Sequence, residues 1–248
     1  MTTNIDPFQH LPHLRHMVSE PSQSRYRSMD MSVMDQAMRD AGYPDHWRRT
    51  DDERERTRLD ALRGRSDRDL WVFAYGSLMW DPAFHFSEVR TANLTGYHRR
   101  FCLRTRLGRG SFANPGLMAA LDCGGGCNGL SFRIHRDDIE TETKILWSRE
   151  MMMLAYDPIV LEVETPQGPL EALAFVINHS SENYIAELPL EKAAEMIASA
   201  HGLFGSNLDY LDNLAEHLIQ LNIEDRDFSL LHEAARRMAG HTAPDSRG

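Results

Sequence analysis

From Trp71 onward, apolar runs of strand length alternate with short polar breaks. "WVFAYGSL" is continuously apolar up to Gly76-Ser77 and predicts a strand buried on both faces. "HRRFCLRT" predicts a second strand, and "LMAALDCGGGCNGLSFRI" predicts two strands around a glycine-rich turn. "IVLEVETPQGPLEALAFVIN" predicts a hairpin whose turn is Pro166-Gln167-Gly168-Pro169. The period then changes to that of helices. One helix has Pro189 near its start, Leu190, Ala193, Ala194 and Ile197 on its apolar face and Gly202 as its stop. Another starts after Ser206 as N-cap, with Leu208, Leu211, Leu214, Leu218 and Leu221 in one stripe, and a last one runs from about Asp227 to Gly240. Strands first and helices afterwards predict an α+β fold, a small mixed and barrel-like sheet packed against helices.

Residues 1–69 differ from the rest of the chain. "RRTDDERERTRLDALRGRSDRDL" is mostly charged and predicts a solvated helix or linker with almost nothing to bury. Earlier, Met31, Met34 and Met38 are spaced to share a helix face that Gly42 ends. The chain therefore divides into an N-terminal extension (1–69, partly helical or disordered), a domain (70–240) and a flexible tail (241–248). On this reading a chain lacking residues 1–65 stays folded and active.

Charge and composition narrow the function. A formal net charge of −10 argues against a nucleic-acid or anionic-membrane surface, since both reward clustered Lys and Arg. The apolar runs fall far short of the roughly 18–20 residues that span a bilayer. The N-terminus lacks the basic-then-apolar layout of a secretory signal, and three cysteines do not make a disulfide framework. A reduced, cytoplasmic protein is expected.

Three stretches carry candidate chemistry. "AYGSLM" contains Ser77 but is neither the G-x-S-x-G elbow nor a P-loop. Gly76 has no Cβ, so the backbone there can approach a ligand, and free N–H groups at such a turn can hold a carboxylate. An ordinary tight turn explains the residues equally well. Cys123 and Cys127 bracket Gly124-Gly125-Gly126, which fits a loose glycine turn better than a metal site, because no second ligand pair stands out. His179 has no evident partner for a catalytic triad.

Glu150 is more informative. "RDDIETETKILWSREMMM" predicts a helix with Asp137 as N-cap and Glu140 completing an Asp variant of the capping box. Helical spacing puts Ile139, Thr143, Leu146, Glu150 and Met153 on one face, with Glu140, Lys144 and Arg149 pointing elsewhere. A carboxylate on the buried stripe, near a helix C-terminus, has its pKa raised towards that of a general base. Two other readings stay open: pairing with a buried Arg, or a frayed, solvated helix end.

Taken in order, "WVFAYGSLMWDP", "GYHRRFCLR", "PGLMAALD", "LWSREMMMLAY" and "GSNLDYLDNLAEHL" resemble the ChaC-type γ-glutamylcyclotransferases over about residues 70–235. The resemblance implies a small β-barrel with flanking helices, no metal or cofactor, and cleavage of glutathione to 5-oxoproline and cysteinylglycine, a carbon–nitrogen lyase reaction. It assigns substrate binding to Tyr75, Gly76, Ser77 and Leu78, in a segment that begins earlier with Val72, Phe73 and Ala74, and catalysis to Glu150. Ala74 stands where family members often carry glycine. Tyr75 and Tyr210 are candidates to line the pocket. Arg100 and Arg104 are candidates to hold an anionic peptide, with a surface role as plausible for each. Competing readings are a cyclotransferase for other γ-glutamyl amino acids or amines, a non-catalytic γ-glutamyl-binding module, and a hydrolase using Ser77.

Overall fold

The computed structural model describes residues 6–40, 42–65 and 67–242, and its chain sorts into two units. One comprises Met1–Thr95 and Cys127–Asn178, the other Gly96–Gly126 and His179–Gly248.

In the first unit the N-terminal segment forms α1 (Arg25–Ser28), α2 (Met31–Asp40) and α3 (Asp51–Ala61). It has far more to bury than its charge suggests. Phe8, Leu11, Leu14 and Val18 lie in the core, and the Phe8 ring meets Phe86 edge-on at 5.6 Å. Met38 is buried on the expected methionine face of α2. Backbone bonds tie the segment down, with Val89 N–H donating to Pro7 O (3.0 Å) and Ser19 N–H to Trp80 O (2.8 Å). The charged stretch becomes a helix because Thr50 and Glu53 form a capping box. Its Arg58, 2% exposed, donates to Thr143 Oγ1 and Glu140, both at 3.0 Å, while Trp147 Nε1 donates to Thr57 Oγ1 at 3.1 Å. The predicted solvated helix is therefore half right. Its docking contacts are polar, which hydrophobic periodicity does not register.

The sheet consists of β1 (Leu70–Ala74), β2 (Glu88–Thr105), β3 (Gly116–Ile134), β4 (Tyr156–Val163) and β5 (Leu170–Ile177), in the order β2-β3-β1-β5-β4. β1 runs antiparallel to β3 and parallel to β5, with Val72 opposite both Phe132 and Leu173. β3 also pairs with β5, so the mixed sheet curls as the α+β reading predicts. Between β3 and β4 lies α4 (Ile139–Glu150).

Two local predictions are corrected. The run around Gly124–Gly126 is not a turn between two strands: β3 continues through it for 19 residues. Gly124 (φ +105°) and Gly125 (φ +63°) use their left-handed freedom to bend a strand that stays alongside β2, rather than to reverse it. The capping box proposed for Asp137 and Glu140 is also absent. Arg136–Asp138 forms a 3-10 turn, His135 accepts from Asp137 N–H, and Glu140 bonds Lys144 and Arg58 instead.

The second unit contains α5 (Leu190–Ser199), the short strands β6 (His201–Gly202) and β7 (Gly205–Ser206), α6 (Asn207–Gln220) and α7 (Arg226–Thr242). Ala193, Ala194, Ile197, Leu211, Leu214 and Leu218 are buried as the stripes predict, whereas Leu190 remains 38% exposed. Ser206 caps α6 through Asp209 N–H at 2.9 Å. Gly202 does not stop α5, which ends before Ala200, but lies in β6. α7 extends through Thr242, and residues 243–248 of the expected flexible tail lie outside the described residues.

Candidate active site

β1 ends at Ala74, four residues short of the predicted strand, because the chain leaves the sheet at Tyr75-Gly76 and makes one 3-10 turn over Ser77–Met79. Met79 N–H is the first to bond back, to Gly76 O at 2.9 Å. The N–H groups ahead of it, at the start of the turn, have no partner within it. Val72, Phe73 and Ala74 are fully buried in β1. At the root of the loop β3 presses close: a Cβ on Gly129 would stand 2.2 Å from Ala74 O. Tyr75 is 6% exposed, and its hydroxyl donates to Phe175 O at 3.0 Å, which pins the loop to β5.

The end of α4 supplies the charges. Of the predicted face, Ile139, Thr143 and Leu146 are buried, and the Glu150 side chain is only 14% exposed at the last helical position. Met153 lies beyond the helix and is half-buried. Arg149 does not point away as helical spacing predicts. Its side chain is 3% exposed, and Nε donates to Glu150 Oε1 at 2.8 Å. Nη2 donates to Ser77 Oγ at 2.8 Å, and Nη1 donates to Asp81 O and lies 3.8 Å from Asp81 Oδ1. The reason is length. An arginine can cross from a helix end to a neighbouring turn, burying its stem while its donors are satisfied there. Glu150 is thus paired with a buried arginine and also joined, through that arginine, to the loop. Burial pushes its carboxyl above the ordinary range, with the Arg149 charge opposing, and the net direction is upward.

The residues that pattern reasoning missed here are Arg149, Asp81 and Tyr26, whose ring lies 4.7 Å from the Arg149 guanidinium. Asp81 sits in "WVFAYGSLMWDP", so proximity to the loop was a usable signal. Tyr26 offered none.

The other candidates belong to the second unit. Tyr210 is 2% exposed on α6, with its ring 6.1 Å from that of Phe101. Arg104 Nη2 donates to Glu182 O at 2.8 Å. Arg100 donates to Ala186 O and, at 2.6 Å, to Asp122 Oδ2. His179 Nε2 lies 2.7 Å from Asp122 Oδ1. Asp122 also accepts from Tyr184 OH (3.2 Å) and Cys123 N–H (2.8 Å). Asp122, Cys123 and His179 are the group of metal-type donors among the described residues, their ligand atoms within 4.8 Å of one another. Both Asp122 oxygens are already engaged, and Cys127 is not in the group.

Burial disfavours the charged Asp122, yet bonds from His179, Arg100, Cys123 and Tyr184 together hold its carboxyl down to about 2. A carboxyl depressed from 3.8 stabilises the fold fully above pH 3.8 and loses that contribution as pH falls towards 2. Asp122→Asn should cost about 2–3 kcal/mol at neutral pH, because it leaves Arg100 without its charged partner. Chemical denaturation checks this, and a variant as stable as the parent at pH 7 would refute it.

The model of the ChaC-like protein family matches residues 70–237. The glutathione-specific gamma-glutamylcyclotransferase of Escherichia coli (strain K12) is 36% identical over 177 residues, covering 71% of this chain and 77% of that protein. The human glutathione-specific gamma-glutamylcyclotransferase 1 is 34% identical over 154 residues, covering 60% of this chain and 69% of that protein. A crystal structure of the yeast gamma-glutamyl cyclotransferase specific to glutathione shares the fold at TM-score 0.66 and 22% identity, covering 70% of this chain and 98% of that one. With the family match running from the first strand of the sheet into the last helix, this chain belongs to the ChaC-like protein family.

Proposed function

We propose that the protein is a γ-glutamylcyclotransferase that cleaves glutathione to 5-oxoproline and cysteinylglycine, with Glu150 as its acid/base. The observation that carries this reading is the Glu150 carboxylate, almost buried, pushed up in pKa, and linked through Arg149 to Ser77 in the loop. A pure binding module has no need of such a carboxylate.

The α-amine of the γ-glutamyl group, once neutral, attacks its own γ-carbonyl. The new C–N bond closes a five-membered ring, and the γ-amide C–N bond breaks. Glu150 takes the proton that the amine loses and returns it to the departing amide nitrogen. The nucleophile lies within the substrate, so no covalent enzyme intermediate forms, and holding the folded-back conformer supplies several kcal/mol. N–H groups of Gly76, Ser77 and Leu78 bind the substrate carboxylate or the developing oxyanion. Ser77 serves as a hydrogen-bond partner rather than a nucleophile, since its Oγ is committed to Arg149. No metal or cofactor enters this scheme. No helix among the described residues is long and apolar enough to cross a membrane. We place the enzyme in the cytoplasm as a monomer acting on a small molecule.

The test compares 5-oxoproline release from glutathione, N-acetylglutathione and a γ-glutamyl amino acid, each with and without a strong chelator. Glutathione should react in both conditions and the N-acetylated form in neither. Turnover of the N-acetylated compound would exclude internal amine attack, and preference for the γ-glutamyl amino acid would reassign the substrate.

A further inference from the structure

We propose that Tyr26, in the N-terminal segment outside the family match, is a positioning residue that aligns Glu150 and the Ser77 loop by holding the plane of the Arg149 guanidinium. The inference rests on Glu150 being the acid/base of the reaction proposed above.

The donors of Arg149 lie along the edge of a flat cation. Three of them already serve Glu150, Ser77 and the Asp81 carbonyl. In-plane hydrogen bonds set direction but do little to stop the plane tilting, and a tilt would loosen the bonds to Glu150 and Ser77 together. The Arg149 guanidinium carbon lies over the Tyr26 ring, 4.7 Å from its centroid, where the negative face of the ring attracts the cation. This contact with the ring adds a restraint on the guanidinium that the edge bonds do not supply.

Tyr26 is itself held in place. Ser24 accepts from Tyr26 N–H to start α1, and the next residue, Arg27, grips α4 by donating to Glu142 at 2.5 and 3.1 Å and to Ala83 O at 3.0 Å. The one-turn helix α1 therefore spans two points on α4, Glu142 near its start and Arg149 near its end. The segment before the family domain thereby completes the surroundings of the acid/base.

The test uses the full chain and measures kcat and KM for 5-oxoproline release, with a melting curve for each variant. Tyr26→Phe keeps the ring and should retain clearly more kcat than variants that lack it. Tyr26→Leu and Tyr26→Met remove it and should lower kcat roughly tenfold, with KM less affected and melting still cooperative. Two non-aromatic variants guard against one that fails to fold. Combining Tyr26→Leu with Arg149→Lys should cost much less than the sum of the two single effects. Equal impairment of the Phe and Leu variants, parental kcat in the Leu and Met variants, or strict additivity with Arg149→Lys would overturn the proposal. Glu150→Gln measured alongside separates the two layers. If it stays active, the acid/base assignment fails; if it is inactive while the Leu variant is fully active, only the role of Tyr26 fails.

Discussion

Glu150→Gln yields a folded protein whose turnover is lower by about a hundred- to ten-thousand-fold, the usual cost of losing a general base. The amide oxygen can still accept from Arg149 Nε, so the contact now at 2.8 Å survives while the capacity to take a proton does not. Folding tolerates the change for a reason of sign. A carboxyl whose folded pKa is raised contributes its stability below the ordinary 4.5 and loses it as pH rises through the folded value. At neutral pH the parental carboxylate therefore bears a burial penalty that the glutamine lacks, which offsets part of the lost attraction to Arg149. The same shift bears on the pH profile: because Glu150 must be ionised and the substrate amine neutral, the acid limb of kcat/KM in the parent should be half-maximal above pH 4.5. Steady-state assays from pH 4 to 9 with circular dichroism check both points. Near-parental activity in the folded variant would remove Glu150 from its role.

Removing residues 1–65 should abolish the soluble, cooperatively melting protein, the reverse of what the charge pattern of that stretch predicts. Truncation strips Phe8, Leu11, Leu14, Val18, Met38, Trp47 and Leu62 from buried positions. At about 1.5–3 kcal/mol for each large apolar side chain, that loss rivals the roughly 5–15 kcal/mol total stability of a typical domain. It also strands polar groups. Glu142, 4% exposed, would lose both bonds from Arg27, and Trp147 Nε1 would lose Thr57. Solubility on expression and a thermal melt of the shortened chain test this. A sharp melt with parental activity would show that the extension is dispensable.

What the sequence determined by itself is the part governed by short-range chemistry. Strand runs, the hairpin turn at Pro166-Gln167-Gly168-Pro169, the Ser206 cap and the leucine stripe of α6 arise from propensity and period, which depend on residues only a few positions apart. The position of Glu150 on a buried face came from the same arithmetic, and the loop and family from motifs that keep their order along the chain. Tertiary structure alone decided the rest. Gly124–Gly126 could reverse a chain or bend it, and only the neighbouring strand made it a bend. Arg149 is turned inward because its side chain is long enough to reach partners 68 and 72 residues away in sequence, at Asp81 and Ser77, which no helical wheel represents. His179 and Asp122 meet across 57 residues only because the fold brings their segments together. The N-terminal segment misleads most, since Arg58 is buried and Arg27 half-buried by ion pairs and hydrogen bonds, and a hydrophobicity pattern counts every charge as solvent-facing.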